Sequence, residues 1–277
     1  MPNRPRILLQ TTIPIPIDDR GIARFGKLAE LLRTEGFDVV ARDRDPLPGP
    51  DPVLSALDTS DFDAAWLFAV DTGDGLTADD CAAISRFRRG GRGLFVTRDH
   101  MDLGSSVCDL GGVGKAHYFH SKNPDPDAAR HAADDTVTTD ILWPNYHSGA
   151  NGDWQRIAVE GARHPVLDGV DRLPAHPHEG GVGAPADEPS ARVIATGTSL
   201  ATGQRFNLAV AFEADDSGGR AFAASTFHHF ADYNWDPATG SPSFVSELPG
   251  SGMATHPAAL ASAQRYAVNI ANWLVGR

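Results

Sequence analysis

The segment Gly90–His120, GGRGLFVTRDHMDLGSSVCDLGGVGKAHYFH, constrains what this chain can fold into more than any other stretch. A glycine pair of the kind that ends helices, Gly90-Gly91, precedes an apolar run, Leu94-Phe95-Val96. That run turns abruptly polar at Thr97-Arg98-Asp99-His100, and a short stretch from Met101 to Leu110 leads to a second break at Gly111-Gly112. A buried strand that stops at charged residues and turns into a helix sets those residues at the carboxyl edge of a sheet, where open α/β sheets bind their ligands. The pattern therefore places Asp99 and His100 on a strand-to-helix turn that lines an active or binding site.

The same alternation repeats along the first hundred residues. Arg6–Thr12 reads as a buried strand, and Gly21–Glu35 as a helix with Ile22, Phe25, Leu28, Leu31 and Leu32 on one side and Gly36 at its end. Phe37–Ala41 is a second strand, and a Pro/Gly-rich loop over 45–52 leads to a short helix around Val53–Leu57. Phe62–Val70 is a third strand, ending at Asp71. Thr77 and Asp80, three apart, form a capping-box start for the next helix; Cys81, Ile84 and Phe87 make its apolar side, and Arg86, Arg88 and Arg89 suit its last turn. Strands alternating with helices in this way predict an α/β fold with a doubly wound, mostly parallel sheet. Residues 120–189 show little periodicity beyond a strand at Ile157–Val159 and a turn at His164–Leu167. Short strands follow at 191–196, 206–212 and 220–226, and Pro257 opens a final helix with Leu260, Ala263, Ala267, Ile270 and Leu274 on its buried side. No repeat divides the chain, so residues 1–277 read as one domain.

Charge narrows the function. With 24 Lys and Arg against 36 Asp and Glu, the formal net charge is −12, which argues against a nucleic-acid or anionic-membrane partner and favours a small polar substrate. No segment reaches the ~18 apolar residues of a membrane span. The N-terminal apolar run is broken by prolines and lacks a signal-peptide cleavage site, so a cytoplasmic location is expected. The two cysteines, Cys81 and Cys108, make no disulfide framework and no zinc motif; both read as packing residues. Self-association is left open.

Four local patterns, in order, resemble the trehalose-utilisation (ThuA-like) family, within the superfamily that has the class I glutamine amidotransferase-like fold. The first runs from Gly90-Gly91 through Leu94-Phe95-Val96 to His100, and the second is Gly111-Gly112 followed by His117. The third is His164-Pro165-Val166 with Gly169-Val170, followed in the family by an acidic pair that is His178-Glu179 here. The fourth is a glycine-started strand ending in histidine, Gly219 to His228. The resemblance implies a flavodoxin-like, three-layer sandwich. It also marks two departures. Family members usually carry the first histidine one residue earlier, so either Asp99 or His100 occupies the matching position. Amidotransferases of this fold carry a cysteine nucleophile on the strand-to-helix turn, whereas Thr97-Arg98-Asp99-His100 has none, and thiol-based glutaminase or protease chemistry is not expected.

Histidine carries the remaining signal. Eight of the eleven histidines fall between positions 100 and 178, and His228-His229 ends a strand. Imidazoles suit proton transfer near neutral pH and metal ligation alike. His100, His117, Glu179 and His228 are the catalytic candidates: Glu179 and His228 would share acid–base work, while His100 (or Asp99) and His117 would position a hydroxyl or carbonyl. A divalent ion such as zinc has His117, His120, His228 and His229 as candidate ligands. Asp99, Trp143, Tyr146 and Asp232 are the substrate-binding candidates: the aromatic platforms suit a sugar, and Asp232 is close enough in sequence to orient His228 or His229. His131, His164, His176 and His256 read as structural, His164 fixing a turn before Pro165. By resemblance, the reaction would be isomerisation or hydrolysis of a sugar or sugar-derived substrate; the alternative is a non-catalytic ligand-binding or assembly protein on the same fold. On the sequence alone, replacing His228 by Ala is expected to abolish turnover and leave thermal stability nearly unchanged, as a melting curve beside an activity assay would show.

Overall fold

The computed structural model describes residues 4–13, 21–46, 48–68, 75–97, 108–118, 123–130, 149–176, 181–243, 245 and 248–277. Strand β1 (Arg6–Thr11) is followed by a 3-10 turn, Ile22–Phe25, that leads into α1 (Gly26–Thr34), then by β2 (Asp38–Arg42), β3 (Ala64–Phe68), α2 (Ala78–Arg89) and β4 (Gly93–Thr97). Next come β5 (His117–Tyr118), β6 (Trp154–Arg156), β7 (Ala158–Val159), β8 (Arg172–Pro174), β9 (Gly181–Val182), β10 (Ala191–Thr198), β11 (Arg205–Phe212) and β12 (Ala221–Ala224). Helices α3 (Asp232–Trp235), α4 (Gly252–Thr255) and α5 (Pro257–Leu274) close the chain.

Eight strands form one sheet in the order β2-β1-β3-β4-β12-β11-β10-β7. The first five run parallel to one another, and β11, β10 and β7 continue the sheet antiparallel. With β12 counted as the fifth parallel strand, the order is 2-1-3-4-5, as in flavodoxin-like sheets. Helices cover both faces. On one side Phe25, Leu28, Leu32, Tyr266, Ala267 and Ile270 of α1, its leading turn and α5 pack on Ile7, Leu9, Trp66, Phe95 and Phe222. On the other, Ile84 and Phe87 of α2 pack on Leu8, Ala65, Leu67, Leu94 and Val96. Odd- and even-numbered positions of each parallel strand thus enter different cores, as a two-residue side-chain period requires. The aromatic spine of the first core includes stacked pairs at 4.3 Å (Trp66–Phe95) and 4.2 Å (Phe25–Phe68) between ring centroids. Each such ring contributes roughly 2–3 kcal/mol by burial alone. Gly93 is required where α5 ends, because a Cβ there would stand 2.7 Å from the Leu274 carbonyl oxygen.

Thr77 and Asp80 form the expected capping box, each side chain accepting the other residue's backbone N–H. The irregular middle of the chain contains two ribbons, β5 with β9 and β6 with β8. With only two or three residues per strand they are too short to show a period of two. One expectation is overturned outright: Cys81 and Cys108, 27 positions apart, are joined by a disulfide with a Cα–Cα separation of 6.3 Å. Cys81 on α2 turns toward the chain that follows β4 instead of into the core, and both cysteines are half-buried. Closing a loop of that length contributes about 3–4 kcal/mol in the chain-entropy account. Among the described residues no helix is long and apolar enough to cross a membrane.

Beyond β2 a buried ionic network fastens the 43–51 loop to the head of α2. Arg44 and Asp80, both fully buried, pair at 3.3 Å, and Asp51 takes bonds from Arg42 and from the backbone N–H groups of Asp45, Val53 and Leu54. Burial pushes the Asp51 carboxyl up, but these donors outweigh it and hold its pKa at about 2 against the ordinary 3.8. A depressed carboxyl stabilises the fold fully above its unfolded value and loses that contribution as the pH falls through the folded one. Asp51→Asn should therefore cost about 2 kcal/mol at pH 7 and almost nothing near pH 2, measured by urea unfolding at both pH values.

Candidate functional site

The carboxyl end of β12 is the focus of the site. From there the chain runs Ser225-Thr226-Phe227-His228-His229-Phe230 into α3, and the Thr226 hydroxyl accepts the His228 N–H at 3.1 Å. The His228 ring lies face to face on His176, centroids 3.1 Å apart and planes 14° from parallel, and stacks at 3.8 Å on Phe227. Its Nδ1 lies 2.5 Å from the Tyr233 hydroxyl. The phenol is the natural donor in this pair, which leaves the proton of a neutral imidazole on Nε2. His176 Nδ1 donates to the Asn151 side-chain oxygen at 2.9 Å; a carbonyl oxygen only accepts, so this bond puts the His176 proton on Nδ1.

Asn234 ties the cluster together. Its Nδ2 donates to the His228 carbonyl and its Oδ1 accepts the Gly152 N–H, both at 3.0 Å. The indole N–H of Trp235 donates to the His229 carbonyl at 2.8 Å. His176, His228, Tyr233, Asn151 and Asn234 are each no more than 2% exposed. Two imidazoles, a phenol and two amides are thus locked into one orientation behind the sheet edge.

His117 reaches the same strand end by another route. Fully buried, it lies on β5 with Nε2 3.3 Å from the Ala224 carbonyl oxygen. β5 pairs with β9, and Asn207 of β11 donates to the Val182 carbonyl at 2.9 Å, which fixes that ribbon over the sheet. Ala116 and Val182 belong to the core on the α2 face, whereas Phe227 and Tyr233 belong to the core on the α5 face. The two catalytic candidates therefore approach the end of β12 with their neighbouring residues in opposite cores. Among the described residues, the hydroxyls of Thr12, Thr97 and Ser225 at the ends of β1, β4 and β12 meet no hydrogen-bond partner, and none is more than 2% exposed. Buried polar groups left this way cost about 1–3 kcal/mol each.

Asp99, His100, His120, Trp143, Tyr146 and Glu179, with His131, His147 and His178, lie outside the described residues. Asp232 does not orient a histidine: its carboxylate accepts the Lys27 N–H at 2.9 Å at the head of α1, and burial raises its pKa against the backbone N–H groups of Lys27 and Gly26. A carboxylate favours a helix N-terminus, and that interaction holds Asp232. His229 is buried beside Phe230. Among the described residues no three His, Cys, Asp or Glu side chains are grouped to hold a metal, and Nδ1 of His228 already faces Tyr233. Trp235, 2% exposed, closes the core edge. His164 does fix its turn, Nδ1 accepting the Val166 N–H at 3.2 Å while Nε2 faces Glu213. His256 packs edge-on against Trp154. His176 and Asn151, passed over as site residues, prove central; their partners lie 52 and 25 positions away, beyond any local pattern.

No family model and no curated protein matches the sequence. Solved structures similar to the chain include ThuA-like proteins. One, from Bacteroides uniformis, is 10% identical, with 98% of this chain and 92% of that one covered and a TM-score of 0.47. Another, from Parabacteroides merdae, is 14% identical, with 90% and 95% covered and a TM-score of 0.48. A glutamine amidotransferase from Thermotoga maritima is 11% identical, with 99% and 100% covered and a TM-score of 0.47.

The buried cluster revises the expected effect of removing His228. Truncation leaves a cavity under His176 and strands the Tyr233 hydroxyl, so His228→Ala should lose about 2–4 kcal/mol in addition to any activity. Tyr233→Phe should lose about 1 kcal/mol and shift the His228 ring ¹⁵N resonances, as read by urea unfolding and heteronuclear NMR.

Proposed function

We propose that this chain is a ThuA-like protein on a class I glutamine amidotransferase-like fold that acts on a small, sugar-like substrate by acid–base rather than thiol chemistry. The observation that carries this reading is the pair of buried imidazoles, His117 and His228, at the carboxyl end of β12, on a sheet edge where, among the described residues, hydroxyls at the ends of β1, β4 and β12 meet no hydrogen-bond partner. Such a sheet edge is where α/β proteins of this strand order hold ligands, and hydroxyl-rich molecules are suited to meeting hydroxyl side chains. His228 is the proton-transfer group, oriented by Tyr233. His117 is a positioning group on the other side of the strand end. Glu179, two residues ahead of β9 in sequence, is the carboxylate partner. The motifs shared with the ThuA-like family point to isomerisation or hydrolysis of a sugar or sugar-derived molecule. Both cysteines are consumed in one disulfide, which supports the exclusion of a thiol nucleophile. No step is assigned to a metal.

A second reading, a ligand-binding or assembly protein without turnover, is favoured by one observation: His117, His176 and His228 are all at most 2% exposed. Proton transfer needs contact with substrate, and binding does not. A thermal-shift screen against neutral sugars, polyols and sugar acids tests both. A ligand at a hundred times its Kd should raise the melting temperature by about 5 °C. Turnover of that ligand, lost in His228→Gln with binding retained, supports the enzyme, and binding with no turnover supports the second reading. No shift from any of the three classes removes the sugar assignment.

A further inference from the structure

We propose that the Cys81–Cys108 disulfide is a redox latch on the platform that carries His117 to the sheet edge. The described residues from Cys108 onward run along α2 and lead into β5. Past the disulfide, Leu110 and Val113 share a core with Ile84 and Phe87 of α2, and the hydrogen bonds to α2 converge on one residue: the Gly111 N–H donates to the Ser85 hydroxyl at 3.0 Å, and Arg88 donates to the Gly111 carbonyl. Asp109 caps the turn by accepting the Gly112 N–H at 3.2 Å. Between the disulfide and these contacts the backbone is forced. Leu110, a non-glycine residue, is held at φ 49°, followed by Gly111 at 67° and Gly112 at 96°. L-residues with side chains avoid that left-handed region. A covalent bond two residues upstream, on a rigid helix, is what can hold a leucine there.

The ends of the segment differ in consequence. At its far end Lys115 pairs with Asp187 on the surface at 2.8 Å, and His117 sets Nε2 against the Ala224 carbonyl. Cutting the bond removes the anchor nearest the forced turn and leaves the helix faces of both cores intact. The response is therefore local, confined to 108–118 and its partner β9. Both cysteines are half-buried residues, and the reductant the proposal requires is a small dithiol. The thiolate of the dithiol displaces one protein sulfur, giving a mixed disulfide. Its second thiol then closes a cyclic disulfide and releases the other. Two electrons and two protons pass to the protein, which gains two thiols, and the dithiol is oxidised. Disulfides persist in oxidising compartments and are reduced in the cytosol, so the redox poise around the chain sets the state of the platform.

Hydrogen–deuterium exchange on the full chain, before and after treatment with dithiothreitol, tests this. Peptide mapping without reductant should first recover Cys81 and Cys108 in one linked pair. After reduction, with two thiols counted by a chromogenic reagent, amides in 110–118 and 181–182 should exchange at least tenfold faster. Those in β1 and α5 should not change. The double variant Cys81→Ala/Cys108→Ala should reproduce the reduced pattern; if it does not fold, the reduced wild-type chain carries the test. Two free thiols in protein never exposed to reductant would overturn the proposal. So would unchanged exchange in 110–118 after reduction, or acceleration across β1 and α5 as well, which would make the bond a staple of the whole fold. None of these readouts involves turnover, so the result stands whatever becomes of the acid–base reading.

Discussion

The position of β12 between the parallel and antiparallel halves of the sheet is the constraint on which the rest depends. It pairs in parallel with β4 and antiparallel with β11, so its four residues must satisfy both hydrogen-bonding patterns and both cores at once. The sequence Ala-Phe-Ala-Ala answers this economically. Phe222 fills the α5-side core, and Ala221 and Ala223 let the α2-side layer approach closely. The last residue, Ala224, presents a carbonyl to His117. A larger residue at 224 would push the α5-side layer away and with it contacts such as that of Tyr266 on Phe222, ring centroids 5.9 Å apart.

That placement explains why the chain beyond β12 is polar yet buried. Ser225, Thr226, His228 and His229 follow one another across the sheet edge with exposures of 0–2%. Their backbone groups cannot all join a ladder that has just ended, so side chains take them up: Thr226 binds the His228 N–H, Asn234 the His228 carbonyl and Trp235 the His229 carbonyl. The short helix α3 supplies two of these partners within six residues. Local satisfaction of the main chain thus fixes the backbone that carries the His228 ring.

How much of this the sequence disclosed follows from the range of each interaction. The parallel half was legible because its strands carry runs of three to five apolar residues, and α2 carries its capping box within four residues of sequence. His117 and His228 were legible as candidates because each sits beside a glycine break or a strand end. The disulfide was not, since two cysteines 27 apart with no shared motif are as common in packing roles. Nor was the His176–His228 stack, which joins a proline-flanked loop to a strand end 52 positions later. Asp232 is near His228 in sequence, but its carboxylate turns to the backbone of α1. The start of α1, more than two hundred residues away in the chain, has the stronger claim on that carboxylate.

On the proposed reading, the arrangement also separates two jobs, proton transfer at His228 and positioning at His117. His228 is immobilised by stacking and by Tyr233, contacts made entirely on the α5 side of the sheet. His117 depends on a segment whose geometry is set on the α2 side, where a covalent bond and a left-handed turn act together. On that reading a ligand at the end of β12 meets both, and different cores order the two sides. On that reading a change confined to the α2 side would alter how a ligand is positioned and leave the contacts of the His228 ring with His176 and Tyr233 in place. The converse holds for changes around Tyr233 and Asn151.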